Sequence, residues 1–156
     1  MSLTIEQTLV NSFIAMMKKN AKNEKIPCSF SQLETGATAI GVPDLIMFFD
    51  HKTYWIECKR LYSDHVARSN IAKFKGVIKF RPGQARFLHN LQNNGEKAFI
   101  LVLTDYLDCI LVPVRDVPLD ASTFRVDHLG ASFVDAYKFI KEALEEQPIV
   151  SDKEPL

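Results

Sequence analysis

Asp44, Glu57 and Lys59 are two acids and a base whose spacing suits metal-assisted chemistry on a phosphate. Glu57 and Lys59 lie two apart in a run, Tyr54 to Lys59, that reads as a strand. Both side chains therefore leave one face, while Ile56 and Cys58 leave the other. Asp44 follows Pro43, which biases Val42 towards extended backbone, and Gly41 permits a close backbone approach. A hairpin over residues 45–56 would return Glu57 beside Asp44. Two carboxylates at a strand mouth are hard oxygen ligands suited to Mg2+ or Mn2+, and the carbonyl of Cys58 can add a third oxygen. Such an ion polarises a phosphate and activates water. Lys59 would either stabilise the extra negative charge of the attacked phosphate or help to orient and deprotonate the water, and the sequence leaves both open. By spacing alone, a surface turn with an exposed salt bridge is the commoner origin of such a triplet.

Charge is spread unevenly. The 156 residues hold 19 Lys and Arg against 19 Asp and Glu, a formal net charge of zero. Yet residues 59–86 carry Lys59, Arg60, Arg68, Lys73, Lys75, Lys79, Arg81 and Arg86 against a single acid, Asp64. A basic segment in a neutral chain predicts a phosphate-backbone footprint on one face, with a solvated loop as the alternative.

The run Gly41, Val42, Pro43, Asp44, Leu45, then Glu57, Cys58, Lys59, resembles the PD-(D/E)XK nuclease signature, with Cys58 at its variable position. Downstream, Arg81, Pro82, Gly83 and Gln84, then Phe87, Leu88, Leu91, Gly95 and an apolar strand, resemble the virus-type replication and repair nuclease (VRR-Nuc) branch. The likeness spans about residues 6–103 and leaves the last third of the chain unmatched. It implies a restriction-endonuclease-like α/β core and a divalent-metal-dependent endodeoxyribonuclease. It also implies that Glu6 contacts the metal through water and that Gln84 orients substrate or Lys59. Independently, Glu6 shares a helical stripe with Val10, Phe13 and Met17, and Gln84 shares one with Phe87, Leu88 and Leu91. Polar groups aimed inward need partners. The plainer readings are a first-turn acid favoured by the helix dipole and a capping glutamine. Replacing Gln84 by Leu is expected to spare stability more than activity.

Similarity to small Holliday junction resolvase-like endonucleases implies branched DNA as substrate. The two-fold-related strands of a four-way junction imply a homodimer, with the first or last helix supplying apolar contact. A nickase or restriction-like enzyme acting on duplex DNA is the enzymatic alternative. A nucleic-acid-binding module that keeps the fold without catalysis is the other.

These residues need elements to position them. A capping box of Thr4 and Gln7 and apolar residues at helical spacing predict a helix over residues 4–22. Strands are expected at 28–33, 45–49 and 54–59, with residues 50–53 as a hairpin connection. Pro82 and Gly83 open a helix to residue 93, and strands follow at 98–103 and 109–114. A loop rich in Asp and Pro then leads to a last helix over 131–146. The order predicts a mixed sheet flanked by helices on both faces.

The length and a hydrophobic content of 47% suit one nuclease domain, residues 1–147, with a polar tail at 148–156. Cys28, Cys58 and Cys109 are too few and too scattered for a disulfide framework or structural zinc, and His51, His65, His89 and His128 have no metal-ligand spacing. No apolar run reaches membrane-spanning length and no secretory signal opens the chain, so a cytoplasmic protein without membrane contact is expected.

Overall fold

The organising element is a strand in which every residue from Ala98 to Leu103 is buried, because both of its faces are covered. The structure is a computed structural model and describes residues 5–33, 43–61, 71–105 and 107–145. Arg68, the turn residues Gly41 and Val42, and the tail at 148–156 lie outside the described residues. The elements run α1 (Ile5–Asn23), β1 (Cys28–Gln32), β2 (Leu45–Phe49), β3 (Lys52–Arg60), β4 (Ile71–Lys79), α2 (Gln84–Asn93), β5 (Lys97–Leu103), β6 (Asp108–Pro113), β7 (Thr123–Ser132) and α3 (Ala136–Glu145). The strands form one sheet in the order β1-β2-β3-β5-β6-β7-β4. Among the described strands only β3 and β5 pair in parallel, so the sheet is mixed as expected.

Two cores follow from the alternation along β5. Phe99, Leu101 and Leu103 join Phe13, Met17, Ile140 and Leu144 beneath α1 and α3. Ala98, Ile100 and Val102 join Ala85 and Leu88 beneath α2. The helices therefore cover both faces, two on one side and one on the other. The apolar stripes of α1 and α3 face this core, with Ile5 of α1 and Phe139 of α3 left exposed.

The β2–β3 hairpin fixes the register of the site. Asp50 and His51 have φ of 52° and 66°, the paired left-handed conformation of a two-residue turn whose twist matches the flanking strands. The turn pairs Phe49 with Lys52 and carries the ladder to Leu45 and Ile56. Asp44 and Glu57 are the next residues on either side.

Two strands arise where the sequence predicted none. Residues 71–79 were expected as part of a basic, phosphate-facing segment, yet they form β4, with Phe74 and Ile78 buried and Lys75, Val77 and Lys79 exposed. Their partner β7 takes half of the predicted loop and the first residues of the predicted last helix, which begins at Ala136 instead of 131. β7 meets β6 only at Ala131 and Ser132, and the β4–β7 ribbon packs Phe74, Ile78 and Val126 into the core beneath α2. Gly76 permits this close crossing, since a Cβ there would lie 2.6 Å from Leu61 Cδ1.

Candidate active site

Strand parity aims Trp55, Glu57 and Lys59 to the α2 side of β3, while Tyr54, Ile56 and Cys58 enter the opposite core. Asp44 stands just ahead of β2, where its Oδ2 accepts the Cys58 N–H at 3.0 Å, a bond that fixes the carboxylate beside Glu57. Gly83, at φ 81°, turns the chain into α2 and places Gln84 in its first turn, 1% exposed.

The Gln84 amide links the acid to the base. Its Nε2 donates to Glu57 Oε2 at 2.8 Å. Its Oε1 accepts from Lys59 Nζ at 2.8 Å and from the Arg81 N–H at 3.0 Å. Lys59 Nζ lies 3.5 Å from Glu57 Oε2 and 5.1 Å from the centroid of the Phe80 ring, which closes one side of the ammonium. One cavity of about 460 Å³ receives Glu6, Asp44, Glu57, Lys59 and Gln84, and exposed Lys79 and Arg81 border it. Glu6 reaches it from the first turn of α1, so a side chain from the other helical layer joins those of β3 and α2.

The electrostatics suit a cation. Glu57 is 3% exposed, and its Oε1 is buried without a hydrogen-bond partner. Burial first, then the nearby Asp44 charge, pushes its pKa up to about 8, against the opposing pull of Lys59 and Arg81. Asp44 is raised chiefly by burial, although the Cys58 N–H and Lys59 oppose the shift. Glu6 is raised by burial and then by Asp44. Three carboxylates facing one cavity are thus under-compensated by the described cations, a setting that suits a divalent ion. Among the described residues no three Asp, Glu, His or Cys side chains meet as a metal-holding group, so an ion here would take two carboxylates and complete its shell with main-chain oxygen and water.

The basic segment divides. Lys75, Val77 and Lys79 alternate on one exposed face of β4, and the last two reach the cavity, as does Arg81. Lys73 lies on the same strand, paired with Leu129. Arg60 also lines the cavity, but its guanidinium grips Asp105 through two bonds of 2.7 and 2.6 Å. Arg86 grips Asp120 in the same way, at 3.0 and 2.8 Å. Asp105, Asp120 and Phe80 escaped the sequence reading. Both acids lie more than thirty residues from their arginines, and no local pattern marks them.

Comparison with solved structures bears on the fold. The chain superimposes on the Holliday junction resolvase Hjc of the archaeal hyperthermophile Archaeoglobus fulgidus with a TM-score of 0.54, covering 94% of this chain and 100% of that one at 11% identity. The chain has a nuclease-like fold. A bacterial homing endonuclease aligns over 86% of this chain and 91% of its own, at 11% identity and a TM-score of 0.42. No family model and no curated protein matches the sequence.

The three bonds of Gln84 alter one expectation. Leu in its place would leave Glu57 Oε2, Lys59 Nζ and the Arg81 N–H without this partner, so stability falls along with activity. Gln84→Leu should cost ~1–3 kcal/mol of stability, read as a lower melting temperature, and roughly 10–100-fold in any reaction that Glu57 and Lys59 support.

Proposed function

We propose that this chain is a divalent-metal-dependent endodeoxyribonuclease of the VRR-Nuc branch that hydrolyses phosphodiester bonds in branched DNA, such as Holliday junctions, as a homodimer. The observation that carries this reading is the Gln84 amide joining Glu57 to Lys59 in a cavity that also receives Asp44 and Glu6 and is bordered by Lys79 and Arg81. Mg2+ or Mn2+, held by Asp44, Glu57 and the Cys58 carbonyl with Glu6 acting through water, would polarise the scissile phosphate and lower the pKa of the attacking water.

The side chains of this protein do the rest. Cys58 N–H holds Asp44 in place, and Gln84 presents Lys59 to the cavity. Lys59 would meet the extra negative charge on the non-bridging phosphate oxygens as water attacks phosphorus, before the P–O bond breaks and the charge passes to the leaving oxygen. Lys79 and Arg81 bind the flanking phosphates, contacts that position a backbone without reading bases. The fold shared with a junction resolvase and this sequence-neutral border favour selection of DNA structure over sequence. Each chain carries one Asp44, Glu57 and Lys59 set, so paired incision across a junction requires two copies.

Cleavage of a panel of junction, flap, nicked, single-stranded and duplex DNA in Mg2+, with light scattering on the same sample, tests this reading. The expected result is a dimer that cuts opposed strands of the junction in preference to duplex. A monomer that nicks junction and duplex equally would establish the nickase alternative, and binding without any cutting would establish the non-catalytic module.

A further inference from the structure

A second cluster of cations lies away from the basic segment, at the far end of α1. Residues 7–33 contain Lys18, Lys19, Lys22 and Lys25, all exposed, and one acid, Glu24. Glu24 is committed to α3, accepting from the Tyr137 hydroxyl and the Lys141 ammonium, both at 2.9 Å. Beyond Glu6, the side chains of α1 and β1 include no carboxylate.

The crease between α1 and β1 connects this cluster to the active-site cavity. At the near end, a second cavity of about 240 Å³ is lined by Gln7, Gln32 and Leu33 and shares Glu6, Asp44 and Cys58 with the first. There the Gln32 amide donates to Asn11 Oδ1 at 3.4 Å across the crease. At the far end, Lys18, Lys19 and Lys22 border a shallow cavity of about 540 Å³ with Ile26 and Cys28. Cys28 and Gln32 are the two ends of β1, so the two flanking cavities mark the two ends of one crease. Gln7, Asn11, Lys18 and Lys22 follow each other at intervals of four and seven, which keeps them on one helical face.

We propose that this crease is the track of a DNA phosphate backbone: an arm leaving the catalytic cavity runs along α1, hydrogen-bonds the Gln7, Asn11 and Gln32 amides, and brings its phosphates to Lys18, Lys19 and Lys22. The proposal rests on the nuclease reading and supplies a second contact on the opposite side of the metal site from Lys79 and Arg81. Uncharged amides suit the stretch beside the carboxylates, and the ammonium groups, as strongly hydrated point charges, suit the backbone further out. From Glu6 the helix rises ~18 Å to Lys18 and ~24 Å to Lys22, about five to seven base pairs of duplex, so an arm of about four base pairs cannot reach the lysines.

The test compares wild type with the triple variants K18E/K19E/K22E and K18Q/K19Q/K22Q on two substrates, one with an arm of about four base pairs beyond the cut and one of about twelve. Both variants should bind and cut the short-armed substrate as wild type does. On the long arm they should bind at least tenfold more weakly, and the slope of log affinity against log salt should fall by ~2.7 for three lost phosphate contacts. Unchanged long-arm affinity and salt slope, in variants that still cut, would overturn the track and leave the nuclease reading standing. A wild-type protein that neither binds nor cuts either substrate would overturn the nuclease reading and the track together.

Discussion

Glu57→Gln should lower metal-dependent cleavage about 10³-fold and, in metal-free protein at pH 8, raise the melting temperature above that of the wild type. The first effect follows from losing an anionic ligand, because metal stabilisation of several kcal/mol divided by 1.36 kcal/mol per decade gives about three decades. The second follows from burial. The Glu57 pKa stands at about 8 against an ordinary value of 4.5, so between these two pH values the native state keeps a proton that the unfolded chain has released. Stability is therefore fully present below pH 4.5 and is lost as pH rises through about 8, by an amount on the order of a few kcal/mol. The amide introduced by Glu57→Gln would keep an acceptor for the Gln84 amide and carry no charge, so the stability of the variant should not show this decline. Mn2+ at pH 8 should raise the melting temperature of wild type and leave Glu57→Gln nearly unmoved. A flat stability profile in metal-free wild type over this window would contradict the buried, uncompensated carboxylate.

Lys59→Met should lower cleavage roughly 10²–10³-fold, the range seen when one charge-stabilising donor is removed from a reacting centre, while metal binding is kept or tightened. Lys59 opposes the rise of the Glu57 pKa, so removing it raises proton competition at that carboxylate. It also removes a positive charge 3.5 Å from Glu57 Oε2, which repels a divalent ion more strongly than a proton. Mn2+ titration calorimetry beside cleavage rates separates the two roles. Parallel loss of binding and cleavage would make Lys59 a support for the metal site instead of a group acting on the phosphate.

Much of this site was legible because it lies on local patterns. Glu57 and Lys59 share a strand face by a period of two, and Asp44 meets Glu57 because a two-residue turn leaves the hairpin little choice of register. Gln84 stood out as a polar residue on an apolar stripe, although its simultaneous contacts to Glu57, Lys59 and the Arg81 backbone could not be read from spacing. The strands β4 and β7 were missed for a physical reason. Each buries few large side chains, and the Lys75 and Lys79 alternation that marks a half-buried strand also reads as a phosphate-binding loop. Their mutual pairing, from Ile71 with Ala131 to Lys79 with Thr123, spans more of the chain than any local window. The same distance hid the Arg60–Asp105 and Arg86–Asp120 pairs, which occupy two guanidinium groups that the sequence assigned to DNA.

Incubation of supercoiled plasmid with purified protein and with its Asp44→Asn variant, each in Mg2+, in Mn2+ and in excess chelator, tests whether Asp44 holds a metal that the cleavage requires. Asp44 is the carboxylate fixed by the Cys58 N–H, and its isosteric amide keeps the shape of that contact while removing the charge. Wild type should cut with either ion and not in chelator, and Asp44→Asn should cut almost nothing under any condition. Cutting by the variant at the wild-type rate, or by wild type in chelator, would contradict that requirement.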